Sequence, residues 1–194
     1  MEGLEEWMVP GGEVVAVFPS LEKLRIERCG KLESIPICRL SSLVEFEIDG
    51  GEELRCLSGE FHGFTSLRVL RIWDCPKLPS IPSVQHCTTL VELNICRCRE
   101  LISIPGDFEE LKYSLKKLDI RGCKLGALPS GLQCCASLEE LSIVDWRELI
   151  HFIDDLQELS SIQTLSIVSC DKLIIVPYDL RQLHSLVHLT IIGC

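Results

Sequence analysis

FPSLEKLRIERCGKLESIP (18–36), FTSLRVLRIWDCPKLPSIP (64–82) and CTTLVELNICRCRELISIP (87–105) follow one pattern, L-x-x-L-x-I-x-x-C-x-x-L-x-x-I-P. Self-similarity at a fixed period is the mark of repeat architectures. Extended along the chain, the first Leu or Ile of each unit falls at Leu21, Leu43, Leu67, Leu90, Leu115, Leu138, Ile162 and Leu186. The steps are 22, 24, 23, 25, 23, 24 and 24 residues. Eight units in register make this a repeat protein.

Each part of the unit has a physical meaning. In L-x-x-L-x-I the apolar residues alternate, which predicts a short strand with one buried face. Leu24 and Ile26, Leu70 and Ile72, and Leu93 and Ile95 point inward. One strand per unit, always in the same direction, requires parallel pairing and a crossover of about a dozen residues. The rest of the unit supplies it. Apolar pairs three apart (Phe61 and Phe64, Val84 and Cys87, Phe108 and Leu111, Leu132 and Cys135, Leu156 and Leu159, Leu180 and Leu183) predict a 3₁₀ turn or short helix. Pro36, Pro82, Pro105, Pro129 and Pro177 precede this element and suit a turn or a helix start. The predicted fold is an α/β solenoid: an arc with a concave parallel β-sheet, and convex turns, 3₁₀ and short helical segments. Residues 18–194 form the repeat domain. Residues 1–17, with Leu4 and Trp7, read as the remnant of a preceding repeat, and the last unit reads as truncated. Uncapped solenoid ends expose unpaired edge groups, so the isolated chain is expected to associate or fray.

Twelve cysteines are present. Six share one slot, the turn after the strand: Cys29, Cys75, Cys98, Cys123, Cys170 and Cys194. A thiol there is a small buried hydrophobe and a weak donor to carbonyls of the neighbouring turn. Gly51 and Trp146 take this slot in the second and sixth units, and the fifth is one residue short between Cys123 and Leu125. Cys87 and Cys135 fall in the convex apolar row, while Cys38, Cys56, Cys96 and Cys134 fall at positions expected to be exposed. Cys75, Cys98 and Cys123 stand on successive rungs, in a line that does not enclose a tetrahedral metal. Stacked parallel side chains do not aim at each other as a disulfide needs.

The chain has 194 residues, is 46% hydrophobic and carries a net charge of −10. That charge argues against a broad nucleic-acid-binding surface. No apolar run reaches the ~18 residues of a membrane span. The start, MEGLEEWMVPGG, lacks the apolar core of a signal peptide. The only Asn, Asn94, starts no glycosylation acceptor. These features predict free thiols and a cytoplasmic or nucleocytoplasmic location. No phosphate loop or nucleophile elbow is present, so no catalytic residue, metal or cofactor is assigned. His184 and His188 are four apart, but the register puts one in a convex turn and the other in a strand. Glu52–Glu53, Glu109–Glu110 and Asp154–Asp155 lie in crossovers as solvated edges.

The outward strand positions are the expected working surface. One row reads Arg25, Glu47, Arg71, Asn94, Asp119, Ser142, Ser166 and Thr190. The next reads Glu27, Asp49, Trp73, Cys96, Arg121, Val144, Val168 and Ile192. The face therefore passes from mixed charge to neutral and apolar. Trp73 beside Arg71 is a pair of the kind enriched at binding hot spots. Val144, Val168 and Ile192 form an apolar ridge that suits a contact patch. Cys96 separates from Cys98 by role: it faces out beside Trp73 and Arg121.

LEKLRIERCGKLESIP, LRVLRIWDCPKLPSIP and IQTLSIVSCDKLIIVP resemble the leucine-rich repeats of plant intracellular nucleotide-binding immune receptors of the coiled-coil type. The leader LEEWMVPGGEVVAVFPSLEKL is similar to their inter-repeat connections. The resemblance implies a C-terminal recognition and autoinhibitory domain without catalysis of its own. Its implied partners are a pathogen effector or a guarded host protein on the concave face, and the receptor's own nucleotide-binding domain. That domain, its phosphate loop and the coiled coil are not in this sequence, so no nucleotide-binding residue is transferred. Cysteine-type repeats also occur in substrate-binding subunits of F-box ubiquitin ligases, which stand as the alternative.

Overall fold

The computed structural model of the protein describes residues 18–37, 40–153, 158–174 and 180–194. Eight of its strands form one parallel sheet: β1 (Lys23–Glu27), β3 (Glu45–Asp49), β5 (Val69–Trp73), β6 (Glu92–Cys96), β7 (Lys117–Arg121), β8 (Glu140–Val144), β9 (Thr164–Val168) and β10 (His188–Ile192). The sheet order is the chain order of these strands, so each repeat adds one rung beside the last. The register is the one the alternation demands. Leu24, Phe46, Leu70, Leu93, Leu118, Leu141, Leu165 and Leu189 fall in one row, and Ile26 to Ile191 in the next. These rows are buried through the middle rungs. On β10 Leu189 and Ile191 are 47% and 44% exposed, against 1% and 0% for Leu165 and Ile167 on the neighbouring strand.

The chain leaves every rung by the same bend. The residue just before the ladder slot has positive φ in all eight repeats: Arg28, Gly50, Asp74, Arg97, Gly122, Asp145, Ser169 and Gly193. A left-handed residue costs roughly 1–2 kcal/mol unless it is glycine. Five of the eight are not, so the fold sustains this cost. Part of the compensation is a further rung-to-rung hydrogen bond. The N–H of Arg28, Asp74, Arg97, Gly122, Asp145 and Ser169 donates to the last carbonyl of the following strand at 2.8–2.9 Å. The C-x-x-L step then closes as a tight turn. Leu32 bonds back to Cys29, Leu78 to Cys75, Leu101 to Cys98 and Leu173 to Cys170, each three residues earlier.

On the opposite side, apolar residues three apart wind as expected. Short 3₁₀ segments occupy Phe61–Gly63, Phe108–Leu111, Leu132–Cys134 and Leu180–Gln182. Phe61, Phe64, Phe108, Leu111, Leu132 and Cys135 are buried under them. Val84 and Cys87 make the same bond without a helical segment. One expectation needs correction. Pro36 does not start a turn; it lies inside a strand. β2 (Ser34–Ile37) pairs in parallel with β4 (Cys56–Gly59), making a second, two-stranded sheet on this side. Both of its strands are edges, where a residue without an N–H is tolerated. Ser80 and Ser103 form a single bridge two repeats further on. Leu4, Trp7, Cys38, Asp154, Asp155, Leu156 and Pro177 lie outside the described residues.

Candidate functional site

The sheet presents three outward rows, not two. Arg25, Glu47, Arg71, Asn94, Asp119, Ser142, Ser166 and Thr190 are in register, as are Glu27, Asp49, Trp73, Cys96, Arg121, Val144, Val168 and Ile192. The third row starts each strand: Lys23, Glu45, Val69, Glu92, Lys117, Glu140, Thr164 and His188. Sequence reading missed it. The signal was there, because these positions precede the first inward residue and alternation turns them outward.

The third row decides how the other two behave. Arg71 does not reach toward Trp73 but forks onto Glu92 of the next rung, with Nε and Nη2 each 3.1 Å from a carboxylate oxygen. Trp73 donates Nε1 to Oδ1 of Asn94 at 3.0 Å. Both are half-buried. Further along, Arg121 forks onto Asp119 of its own strand at 2.7 and 2.8 Å. Asp119 is the one buried charged side chain among the described residues. The arginine meets its desolvation, and the carboxylate in turn holds the Arg121 proton more firmly than usual. Lys117 pairs with Glu140 at 2.9 Å. The charged half of the face is thus a mesh of cross-rung pairs that orders its side chains before any partner arrives. Past β8 the mesh ends: Ser142, Ser166 and Thr164 line a small depression beside Asp119, and Val144 and Val168 are half-buried. Ile192 is 59% exposed.

The cysteine column occupies the slot that the repeat assigns to it. Cys29, Cys75, Cys98, Cys123 and Cys170 are buried; Cys194 is exposed. The thiols bond mainly within their own strand. Each of the six thiols donates to the carbonyl two residues back in its own strand, at 3.3–3.6 Å. Cys98 and Cys194 additionally reach carbonyls of the preceding strand, those of Ile72 and Ile167. Trp146 does the same with its indole, donating Nε1 to Ile120 O at 3.0 Å. In the second repeat the slot is full without a side chain: a Cβ on Gly51 would lie 3.1 Å from both Cys75 Sγ and Leu54 Cβ.

Burial pushes the thiols of Cys87, Cys123 and Cys135 up to about 12. Cys98 is pushed up by its contact with Cys75 and by burial. The consequence is directional. Above pH 9.0 the unfolded chain ionises these thiols while the folded one keeps them protonated, so native stability falls as pH rises from 9.0 toward 12. Denaturation midpoints taken across that range are expected to drop steadily, and the slope to shrink in Cys87→Ala/Cys135→Ala. An unchanged midpoint would refute the assignment. At pH 8, a thiol reagent is expected to label Cys56 and Cys194 first and the buried column only after unfolding.

A second column runs along the edge where the strands end. Two residues past the ladder slot stand Lys31, Glu53, Lys77, Glu100, Glu148 and Lys172, with Lys124 taking that place in the shortened fifth unit. The sign alternates at every rung. Lys77 pairs with Glu53, Lys124 with Glu100 at 2.7 Å, and Lys172 with Glu148 at 2.7 Å. Exposed pairs like these add little to stability, because water and salt screen them.

The Leucine Rich Repeat family pattern matches residues 114–135, the fifth repeat unit. A protein of Arabidopsis thaliana bearing the name disease resistance protein At4g19050 is 26% identical over 154 residues. The match covers 66% of this chain and 13% of that protein. Among solved structures, the leucine-rich repeat domain of the type III effector XopL aligns with a TM-score of 0.64 at 20% identity, over 88% of this chain and 69% of that one. The likeness to XopL shows the fold: a leucine-rich-repeat solenoid.

Proposed function

We propose that this chain is a non-catalytic protein-binding module, the recognition and autoinhibitory repeat domain of a plant intracellular immune receptor. It receives a pathogen effector or a guarded host protein on the outward sheet face, and it packs against the receptor's nucleotide-binding domain. The observation that carries this reading is the sheet face itself. Eight rungs hold three continuous outward rows, pre-ordered by cross-rung pairs at one end and open and apolar at the other. Repeat solenoids use such surfaces to bind proteins. The match to an Arabidopsis thaliana protein named for disease resistance supports the immune setting. The chain spans 13% of that relative's length, so the activity of a whole receptor belongs to this proposal.

The contact residues proposed are Arg25, Glu47, Arg71, Trp73, Asn94, Cys96, Asp119, Arg121, Val144, Val168 and Ile192. Titration against a panel of purified pathogen effectors tests them. For the effector that binds, Trp73→Ala or Arg71→Ala is expected to weaken affinity about tenfold or more, as central aromatic and arginine anchors do. Glu52→Ala, off the sheet face, is expected to change it less than twofold. Equal losses from all three would remove the face from the site. Binding of ubiquitin-ligase substrates instead, with no effector bound, would transfer the reading to the adaptor class.

A further inference from the structure

We infer that the edge of the solenoid carries a second binding site, a cleft at the shortened fifth repeat that takes a phosphate monoester group. One residue past the ladder slot, the flanking rungs hold Arg99 and Arg147. In the fifth repeat the C-x-x-L step is contracted to Cys123-Lys124-Leu125, and Lys124 has taken the next position, paired to Glu100. Between the two arginines stands only Lys124, with its ammonium turned to Glu100. The gap is a cleft of about 490 Å³, floored by Gly122 and Cys123 and reached by Arg97, Arg99, Lys124 and Arg147. Gly122 adds no side chain to it, and Cys123 is buried.

The cations of the cleft, Arg99 above all, point to an anionic ligand. Arg97, Arg99, Lys124 and Arg147 line the cleft with Asp145 and Glu148, while Asp74 and Glu100 pair with Arg97 and Lys124 from outside it, on a chain whose net charge is −10. Glu148 is held by Lys172 and Asp145 by Arg147. Arg97 is paired with Asp74. Arg99 makes no ion pair among the described residues. Arg97 forks onto Asp74 with Nε and Nη2 and stays there, whereas Lys124–Glu100 and Arg147–Asp145 are single-contact exposed pairs whose cations a doubly charged ligand can draw away. Guanidinium forks on two sides of one gap suit the three oxygens of a phosphate better than the two of a carboxylate. The group can arrive on a phosphorylated side chain or as a small phosphorylated compound; the chemistry at the cleft is the same.

Calorimetric titration of the whole chain tests this with three probes: inorganic phosphate, a short acidic peptide carrying one phosphoserine, and the same peptide with Glu in its place. The phosphopeptide is expected to bind at least tenfold more tightly than the Glu peptide. Arg99→Gln/Arg147→Gln, both exposed, is expected to abolish that preference without moving the thermal midpoint. Inserting one Ala after Lys124 restores the full step and is expected to fill the cleft with the same loss. Phosphate binding as tightly as the phosphopeptide would assign the site to free phosphate compounds. Equal affinity for the phosphoserine and Glu peptides, or unchanged binding in Arg99→Gln/Arg147→Gln, would overturn the proposal. Failure of sheet-face variants to affect effector binding leaves this result untouched, so the two sites are tested separately.

Discussion

Trp146→Ala is expected to destabilise the protein by about 3–5 kcal/mol, the largest loss from any single truncation among the described residues. Trp146 is completely buried and is the bulkiest buried side chain among the described residues. It stands where six of the other seven repeats hold a cysteine, so the sixth rung is built around a far larger side chain. Removing it leaves a cavity that the neighbouring rungs cannot close without breaking register. It also leaves Ile120 O without its 3.0 Å indole donor. Trp146→Phe separates the two effects. It keeps most of the packing and loses the hydrogen bond, for an expected cost of about 1–3 kcal/mol. In a solenoid each repeat contacts only its neighbours. The damage should therefore localise: amide exchange on β8, β9 and β10 is expected to accelerate before that on β3 to β6. Uniform acceleration, or a loss under 1 kcal/mol in chemical denaturation, would contradict this account.

Gly131→Ala is the second large effect, at about 2–4 kcal/mol. Gly131 has φ of +76°, where any Cβ costs roughly 1–2 kcal/mol. The space is also taken. A Cβ there would lie 1.9 Å from Asp107 Oδ1 and 2.5 Å from the Glu109 nitrogen. Those two atoms form the cap of the preceding crossover, where Asp107 accepts from Glu109 N at 3.0 Å. Beside them Phe108 N donates to Ser130 O at 2.8 Å, so the two crossovers are clasped at this point. Breaking the cap adds about 1 kcal/mol to the backbone cost. In Gly131→Ala/Asp107→Ala the clash with the carboxylate is gone and the 2.5 Å approach to the Glu109 nitrogen remains. The double variant is expected to be no worse than Gly131→Ala alone. Additive losses in thermal melts would show that the clash is not the cause.

The strands and their register were legible because one alternation repeats on every rung, and a one-residue slip would expose all of Leu70, Leu93 and Leu118 together. The ladder slot was legible for the same reason. What escaped were features that exist only between rungs. Arg71 stands two residues from Trp73 in sequence, yet its partner is Glu92, 21 residues on. Glu52–Glu53 reads as a solvated acidic pair until Lys77 is placed beside Glu53. The strand at Ser34–Ile37 escaped because Pro36 argues against a strand unless its place at an edge is known. Left-handed φ before the slot was signalled by Gly50, Gly122 and Gly193, with Asp74 and Asp145, but Arg28 and Arg97 gave no such sign. Outwardness is local and follows from alternation; the company a side chain keeps depends on crossover length.

The alternating Lys and Glu column bears on how the chain avoids assembling wrongly. All rungs share one apolar pattern, so a folding chain that skips a repeat still buries Leu against Leu. Hydrophobicity alone barely distinguishes the third rung stacked on the fourth from the third stacked on the fifth. The edge charges do distinguish them. Skipping one unit sets Lys77 beside Lys124, or Glu100 beside Glu148. Each such error replaces an attraction by a repulsion of similar size, and the column as a whole favours stacking the repeats in chain order. Pairs too weak to matter for the stability of the finished solenoid thereby act as a parity check on its assembly.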